Sequence, residues 1–168
     1  MKLDCSGIEN GRIADRFGNR GSQFNRFGLC TYSLPFQVGD VPKDTVSFAL
    51  FLEDKDAFPV SGGFSWVHWT ACNILEDHLE ENASISRHGF VQGLNSYISL
   101  QGGQLPKEDC VGYAGMSPPD APHIYELTVY ALDCLLDLQD GFLMNQMFRQ
   151  MEGHILAQQT VKGTYSDN

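Results

Sequence analysis

Residues 46–53 read V-S-F-A-L-F-L-E, a nearly continuous apolar run of aromatic and branched side chains that fits a β-strand covered on both faces. W-V-H-W-T-A-C-N-I at residues 66–74 and I-Y-E-L-T-V-Y-A-L at 124–132 have the same character. Stretches rich in Gly, Pro, Asp and Ser lie between and around them, at 36–45, 58–65, 102–109 and 118–122. Short strands separated by such turns predict a mainly β fold, most simply a two-sheet antiparallel β-sandwich.

The tail changes period. Leu143, Met147, Met151 and Ile155 recur every four residues with Arg149, Gln150 and Glu152 between them, which predicts one or two C-terminal α-helices after residue 140 laid against the sandwich. Gly153 interrupts that face at a cost of about 1 kcal/mol against Ala. Gly163 suits a helical C-terminal stop. The first 30 residues, Gly- and Arg-rich, predict an irregular loop crossing one end of the sheets.

A chain of 168 residues can bury one substantial core and is too short for two ordinary domains, so a single domain over 1–168 is expected. Hydrophobic residues make up 42% and charged residues 19%, a globular composition, and no apolar run approaches the roughly 20 residues of a membrane-spanning helix. A soluble protein without integral membrane association is the expectation. The N-terminus, M-K-L-D-C-S-G-I-E-N-G, lacks the apolar core of a secretory signal, which places the chain in the cytoplasm. Cys5, Cys30, Cys72, Cys110 and Cys134 form no C-x-x-C pair and read as reduced structural thiols. A net charge of −10 argues against a nucleic-acid partner, whose phosphates call for clustered Lys and Arg. A small anion can still be held locally, by convergent dipoles and a histidine or two.

Side chains alternate along a strand, so Trp66 and His68 share a face, as do His123 and Tyr125. If both faces line one cavity, two imidazoles and a phenol meet on an apolar wall, donors suited to a phosphate or carboxylate group. Asp54 or Asp56 is placed to accept from the far ring nitrogen of a histidine, fixing its tautomer and favouring its protonated form. Backbone amides after Gly112 or Gly115 would add donors in a nest. Each residue also has a plainer reading. A lone strand histidine is usually satisfied by a carbonyl, and Asp in D-K-D-A-F-P commonly caps its own turn. For catalysis the chain offers no G-x-S-x-G elbow, H-E-x-x-H pair or phosphate-binding G-x-x-x-x-G-K-[ST] loop, and the spacing of His68, His123 and an Asp matches no strong metal signature. No catalytic residue, metal or cofactor is expected.

The order of these segments resembles the phosphatidylethanolamine-binding protein family, particularly its bacterial and archaeal Raf-kinase-inhibitor-like branch. E-D-K-D-A-F-P is similar to the family's D-P-D-A-P loop, with Lys55 in place of the first proline and Phe58 inserted before Pro59. W-V-H-W-T-A-C-N-I is similar to the strand that carries the first ligand-site histidine, here His68. G-Y-A-G-M-S-P-P resembles the Gly-Tyr loop, and H-I-Y-E-L-T-V-Y-A-L-D the strand of the second histidine, His123, with Tyr125. M-E-G-H-I-L-A-Q-Q-T-V-K-G-T-Y is similar to the C-terminal helix of the family. The resemblance runs from about residue 30 to the end.

It implies a two-sheet β-sandwich with a small anion pocket at one end, lined here by Asp54, Trp66, His68, Gly115, His123 and Tyr125. It implies a non-enzymatic binding function toward a phosphate-bearing small molecule or lipid headgroup, frequent homodimers, and in some members inhibition of a kinase or other enzyme as protein target. Hydrolysis of a small phosphate ester is the alternative reading. Ile124 stands where the resembled strand has arginine, Met116 and Ser117 replace a Pro-Cys pair, and 95–111 is longer than the usual connection. These departures predict an altered entrance.

Overall fold

In the computed structural model, which describes residues 1–86 and 89–167, the three apolar runs lie side by side at the centre of one sheet. In chain order the strands are β1 (Lys2–Asp4), β2 (Ile8–Glu9), β3 (Arg12–Ile13), β4 (Phe36–Gly39), β5 (Ser47–Asp54), β6 (Trp66–Ile74), β7 (His78–Leu79), β8 (Val91–Gln92), β9 (His123–Leu132) and β10 (Ile155–Tyr165). Three α-helices occur among the described residues: α1 (Phe58–Ser61), α2 (Ala83–Ser86) and α3 (Met144–Met151). Seven strands form a large sheet in the order β2-β3-β10-β9-β5-β6-β8, and β1-β4-β7 form a small one. Every pairing is antiparallel except the short contact of β3 with β10.

Alternation along the central strands sorts their side chains into two clusters. Phe48, Leu50 and Leu52 of β5, Trp69 and Ala71 of β6, and Leu127, Val129 and Ala131 of β9 pack beneath the small sheet with Phe36, Val38 and Leu79. Ala49, Phe51, Val67, Tyr130 and Leu132 point the other way and are covered by Leu136, Phe142 and the α3 residues Met147 and Met151. Burial on both faces is why 46–53 carries no polar alternation. Each large side chain so buried is worth roughly 1.5–3 kcal/mol.

The tail departs from its four-residue rhythm. α3 ends at Met151, Gly153 takes a left-handed φ of 82°, and residues 155–165, expected as helix, form β10. Ile155 belongs to the strand, which pairs with β9 along its whole length with one bulge near its start. That edge of β9 would otherwise present a row of unpaired N–H and C=O groups, a tertiary demand that outweighs the local period. Gly163 is therefore no helix stop. It lies in β10, and a Cβ there would come within 2.6 Å of Ile13 Cγ1, so its lack of a side chain admits β3 against β10. The N-terminal 30 residues hold more structure than a loop, with β1 on β4 and the β2–β3 hairpin on β10. Residues 36–39, expected as turn, are β4.

Gly163→Ala should lower folding stability by about 1–3 kcal/mol through overpacking against Ile13. Urea denaturation checks this; a neutral or stabilising effect would contradict the close approach of β3.

Candidate functional site

The cavity forms where the C-terminal end of β5 meets the N-terminal ends of β6 and β9. Asp54 pairs in register with both Trp66 and Tyr125. Asp54 follows Phe48, Leu50 and Leu52 in parity, and His123 and Tyr125 follow Leu127 and Val129, so all three lie on the core side of the sheet. Trp66 and His68 reach that side by another route. Between the Leu52–Trp69 and Glu53–Val67 pairs β6 carries one extra residue, His68, and this bulge reverses the alternation. Val67 accordingly turns to the far face, while Trp66 and His68 join Asp54, His123 and Tyr125.

The cavity has a volume of about 120 Å³. Drug-sized ligand sites occupy roughly 300–1,000 Å³, so this one suits a small group and not an acyl chain. Five of the six residues singled out in the sequence line it: Asp54, Trp66, His68, His123 and Tyr125. Gly115 does not. Its N–H donates to the Cys30 carbonyl at 2.8 Å, and a Cβ there would strike the Phe17 carbonyl oxygen at 2.6 Å, so its smallness serves the docking of the N-terminal segment. The expected nest is also closed, because the amides of Tyr113, Ala114 and Met116 donate to Ser84 Oγ, the His68 carbonyl and the Phe17 carbonyl.

The two histidines are held in opposite states. His68 Nδ1–H donates to the Ala114 carbonyl at 2.6 Å, while the Ala114 N–H donates back to the His68 carbonyl at 2.9 Å. This leaves Nε2 as the ring's second nitrogen, with a lone pair when the ring is neutral. Burial pushes the imidazole below its ordinary pKa, and the Ala114 bond and the charge of Asp54 offset only part of that effect. His68 is thus a carbonyl-satisfied core histidine that also faces the cavity. His123 Nδ1 lies 2.8 Å from Asp54 Oδ2 and its Nε2 lies 2.9 Å from Asp120 Oδ1. Carboxylate oxygens accept, so the arrangement favours hydrogen on both ring nitrogens, the imidazolium form. Burial opposes that charge, but the hydrogen bonds and charges of Asp54 and Asp120 outweigh it and raise the pKa.

Asp54 serves both roles raised for it. Its Oδ2 accepts from His123, and its Oδ1 accepts the Asp56 N–H at 2.8 Å, capping the turn. Asp56 does not reach a histidine; its Oδ2 accepts the Ile124 N–H at 2.9 Å and so ties the 54–58 turn to β9. Tyr125 stacks edge-on to His68, with ring centroids 5.2 Å apart, and burial followed by the charge of Asp54 keeps its phenol protonated.

Sequence reading missed Ala57 and Val60 at α1, Tyr97, Gln101 and Gly102 in the long 95–111 segment, and Ser117 and Pro119 at the end of the Gly-Tyr loop. The unusual length of 95–111 was the available signal, and the segment does form a wall of the cavity. Asp120 was missed as well, since P-P-D-A-P reads as turn chemistry alone. Away from the cavity, at the opposite end of β9, Asp133, Cys134 and His154 place their donor atoms within 4.8 Å of one another and could hold a metal ion. Asp133 Oδ1 accepts from His154 Nδ1 there at 2.7 Å.

Comparison with known proteins agrees with this architecture. Residues 6–166 match the family model described as phosphatidylethanolamine-binding protein. The chain is 39% identical over 157 residues to the uncharacterized protein YxkA of Bacillus subtilis, covering 91% of this chain and 93% of that protein. It is 36% identical over 136 residues to a UPF0098 protein of Chlamydia trachomatis, covering 79% and 81%. Among solved structures, a putative phosphatidylethanolamine-binding protein homolog from Chlamydia trachomatis, CT736, superposes with a TM-score of 0.78 at 31% identity, covering 99% of this chain and 97% of that one. Escherichia coli YbcL shares the fold, with a TM-score of 0.77 at 23% identity and 99% and 98% coverage.

Titration of the imidazole C–H signals by NMR should place the His123 midpoint above 6.5 and the His68 midpoint below it, with Asp54→Asn lowering the former. Because the folded pKa of His123 is raised, its contribution to stability is full below about pH 6.5 and is lost as pH rises through the folded midpoint. A His123 midpoint at or below the ordinary value would show that the two carboxylates do not hold a charged ring.

Proposed function

The chain belongs to the phosphatidylethanolamine-binding protein family, and we propose on that premise that it is a non-enzymatic binding protein whose cavity takes a phosphate group, free or carried on a small molecule or lipid headgroup. The observation that carries this reading is His123, both of whose ring nitrogens lie within hydrogen-bond distance of a carboxylate, an arrangement that favours the charged ring. Protonated, it is the formal cation among the residues lining the cavity, none of which is Lys or Arg, and it sits in a buried site where a charge–anion contact is strengthened by the low local dielectric. The Tyr125 hydroxyl, which also meets the Asp54 carboxylate, lies in the same cavity, and Trp66 and Tyr97, edge to face with centroids 5.3 Å apart, form an apolar wall for the atoms next to the phosphate. A proton taken up from the ligand or from solvent would make His68 Nε2 a further donor. The small volume supports a headgroup-sized ligand. Five free cysteines, four of them buried, fit a reducing compartment and support a cytoplasmic location.

A second reading, docking of a protein target such as a kinase or other enzyme, is favoured by apolar side chains around the same mouth. Phe58 is 65% exposed and Leu100 74%, and Val60 and Phe64 are also exposed beside them in sequence or in the cavity wall. Phe64 stacks on Trp66 at 6.5 Å, which links that surface to the cavity. In this reading ligand occupancy and docking influence each other.

Titration with inorganic phosphate should move the His68 and His123 imidazole signals together and saturably, and His68→Ala should weaken binding at least tenfold while the amide spectrum stays dispersed. Unchanged affinity in His68→Ala would remove the cavity as the site. Turnover of a phosphate ester by purified protein, abolished in the same variant, would replace the binding reading with hydrolysis.

A further inference from the structure

His123 has two N–H donors, and both already serve carboxylates of this chain. The two contacts differ. Asp54 is buried, its side chain 4% exposed, and its other oxygen holds the Asp56 amide, so it is built into the fold. Asp120 lies three residues before His123, next to the lining residue Pro119 but not itself in the cavity wall, its side chain 49% exposed. Pro118, Pro119 and Pro122 bracket it, each with φ restricted by its ring, and the carboxylate can leave by rotation about its own side-chain bonds. Around the imidazolium two negative charges oppose one positive, which leaves the site with a net negative charge.

We propose that Asp120 is a specificity-determining residue that occupies the place an anionic ligand would take on His123 Nε2, so that a phosphate binds only by displacing this carboxylate. The inference rests on the anion-binding reading of the cavity given above. An incoming phosphate must replace a hydrogen bond of the same charge-assisted kind, and after displacement the Asp120 carboxylate remains close to His123 in sequence and repels it. Weak or singly charged anions are thereby excluded. A phosphate that carries its own ammonium is penalised less, because the ammonium can pair with the displaced carboxylate. Asp120 thus discriminates between bare phosphate and phosphate bearing a tethered cation, a distinction that His123 alone does not make.

The test compares the wild type with Asp120→Asn and Asp120→Ala, exposed changes that leave Asp54 and both histidines in place. Dissociation constants for inorganic phosphate and for phosphoethanolamine are measured by NMR titration, with the His123 ring signals as the readout. Both variants should bind inorganic phosphate at least tenfold more tightly than the wild type. The gain for phosphoethanolamine should be smaller, so that the wild-type preference for it narrows. Phosphate binding by the wild type that is unchanged or weakened in both variants would overturn the role of Asp120 and leave the anion-binding reading standing. Absence of binding of either probe to the wild type and both variants, all folded, would overturn both.

Discussion

One extra residue in β6 decides whether a site exists. Without the bulge at His68, the alternation that buries Trp69 and Ala71 under the small sheet would carry Val67 inward, turning Trp66 and His68 to the opposite face. The bulge reverses that parity over the first three residues of the strand and delivers an indole and an imidazole to the side where Asp54, His123 and Tyr125 already point. A bulged residue loses ladder partners. Here the Gly-Tyr loop supplies them, since the Ala114 amide and carbonyl meet the His68 carbonyl and ring. The same pair of bonds satisfies the backbone, fixes the tautomer and anchors the loop beside the cavity.

Polar groups around the cavity are used twice wherever the fold permits. Asp54 caps a turn and charges a histidine; Asp56 joins that turn to β9. Tyr113, the aromatic residue of the loop, is directed away from the cavity, with its hydroxyl on the Phe17 carbonyl at 2.6 Å and its ring edge-on to Trp69. The loop amides that sequence reasoning assigned to an anion hold α2, β6 and the N-terminal segment instead. Binding capacity is thereby concentrated in side chains at the strand ends, which suits a protein whose overall charge is strongly negative.

What could be read beforehand follows from which physical signal dominates locally. Residues 46–53 were legible because burial on both faces leaves a nearly continuous apolar run, His123 and Tyr125 were legible because strand parity needs no partner to be known, and Asp54 was legible as one of two carboxylates in the turn that resembles the family's loop. The bulge was not, since His68 and Thr70 are buried along with their apolar neighbours, and a run buried on both faces has no polar alternation to mark where parity changes. Residues 155–165 were misread because Met147 and Met151 do lie on a helix, and their period extends by coincidence to Ile155 across Gly153. Their true state depends on β9, a segment more than 20 residues away. Gly115 was singled out for a backbone role, and it has one, but toward Phe17 and Cys30. Asp120 shows the same limit from the other side, as a turn residue by composition whose partner emerges only when the chain turns back on itself three residues later.

The position of β10 bears on how such a sheet is built. It follows every other strand in the chain, yet it lies inside the large sheet, between β9 and the β2–β3 hairpin. During synthesis β9 therefore has an open edge until residues 155–165 have emerged, and the hairpin made first has no sheet to join. Two ends of the chain separated by more than 140 residues must meet late, a costly long-range closure that slows folding and leaves an adhesive strand edge uncovered meanwhile. Exposed polar side chains on both faces of β10, Gln158 and Lys162 on one and Gln159 on the other, favour solubility of that last strand while it waits for its place.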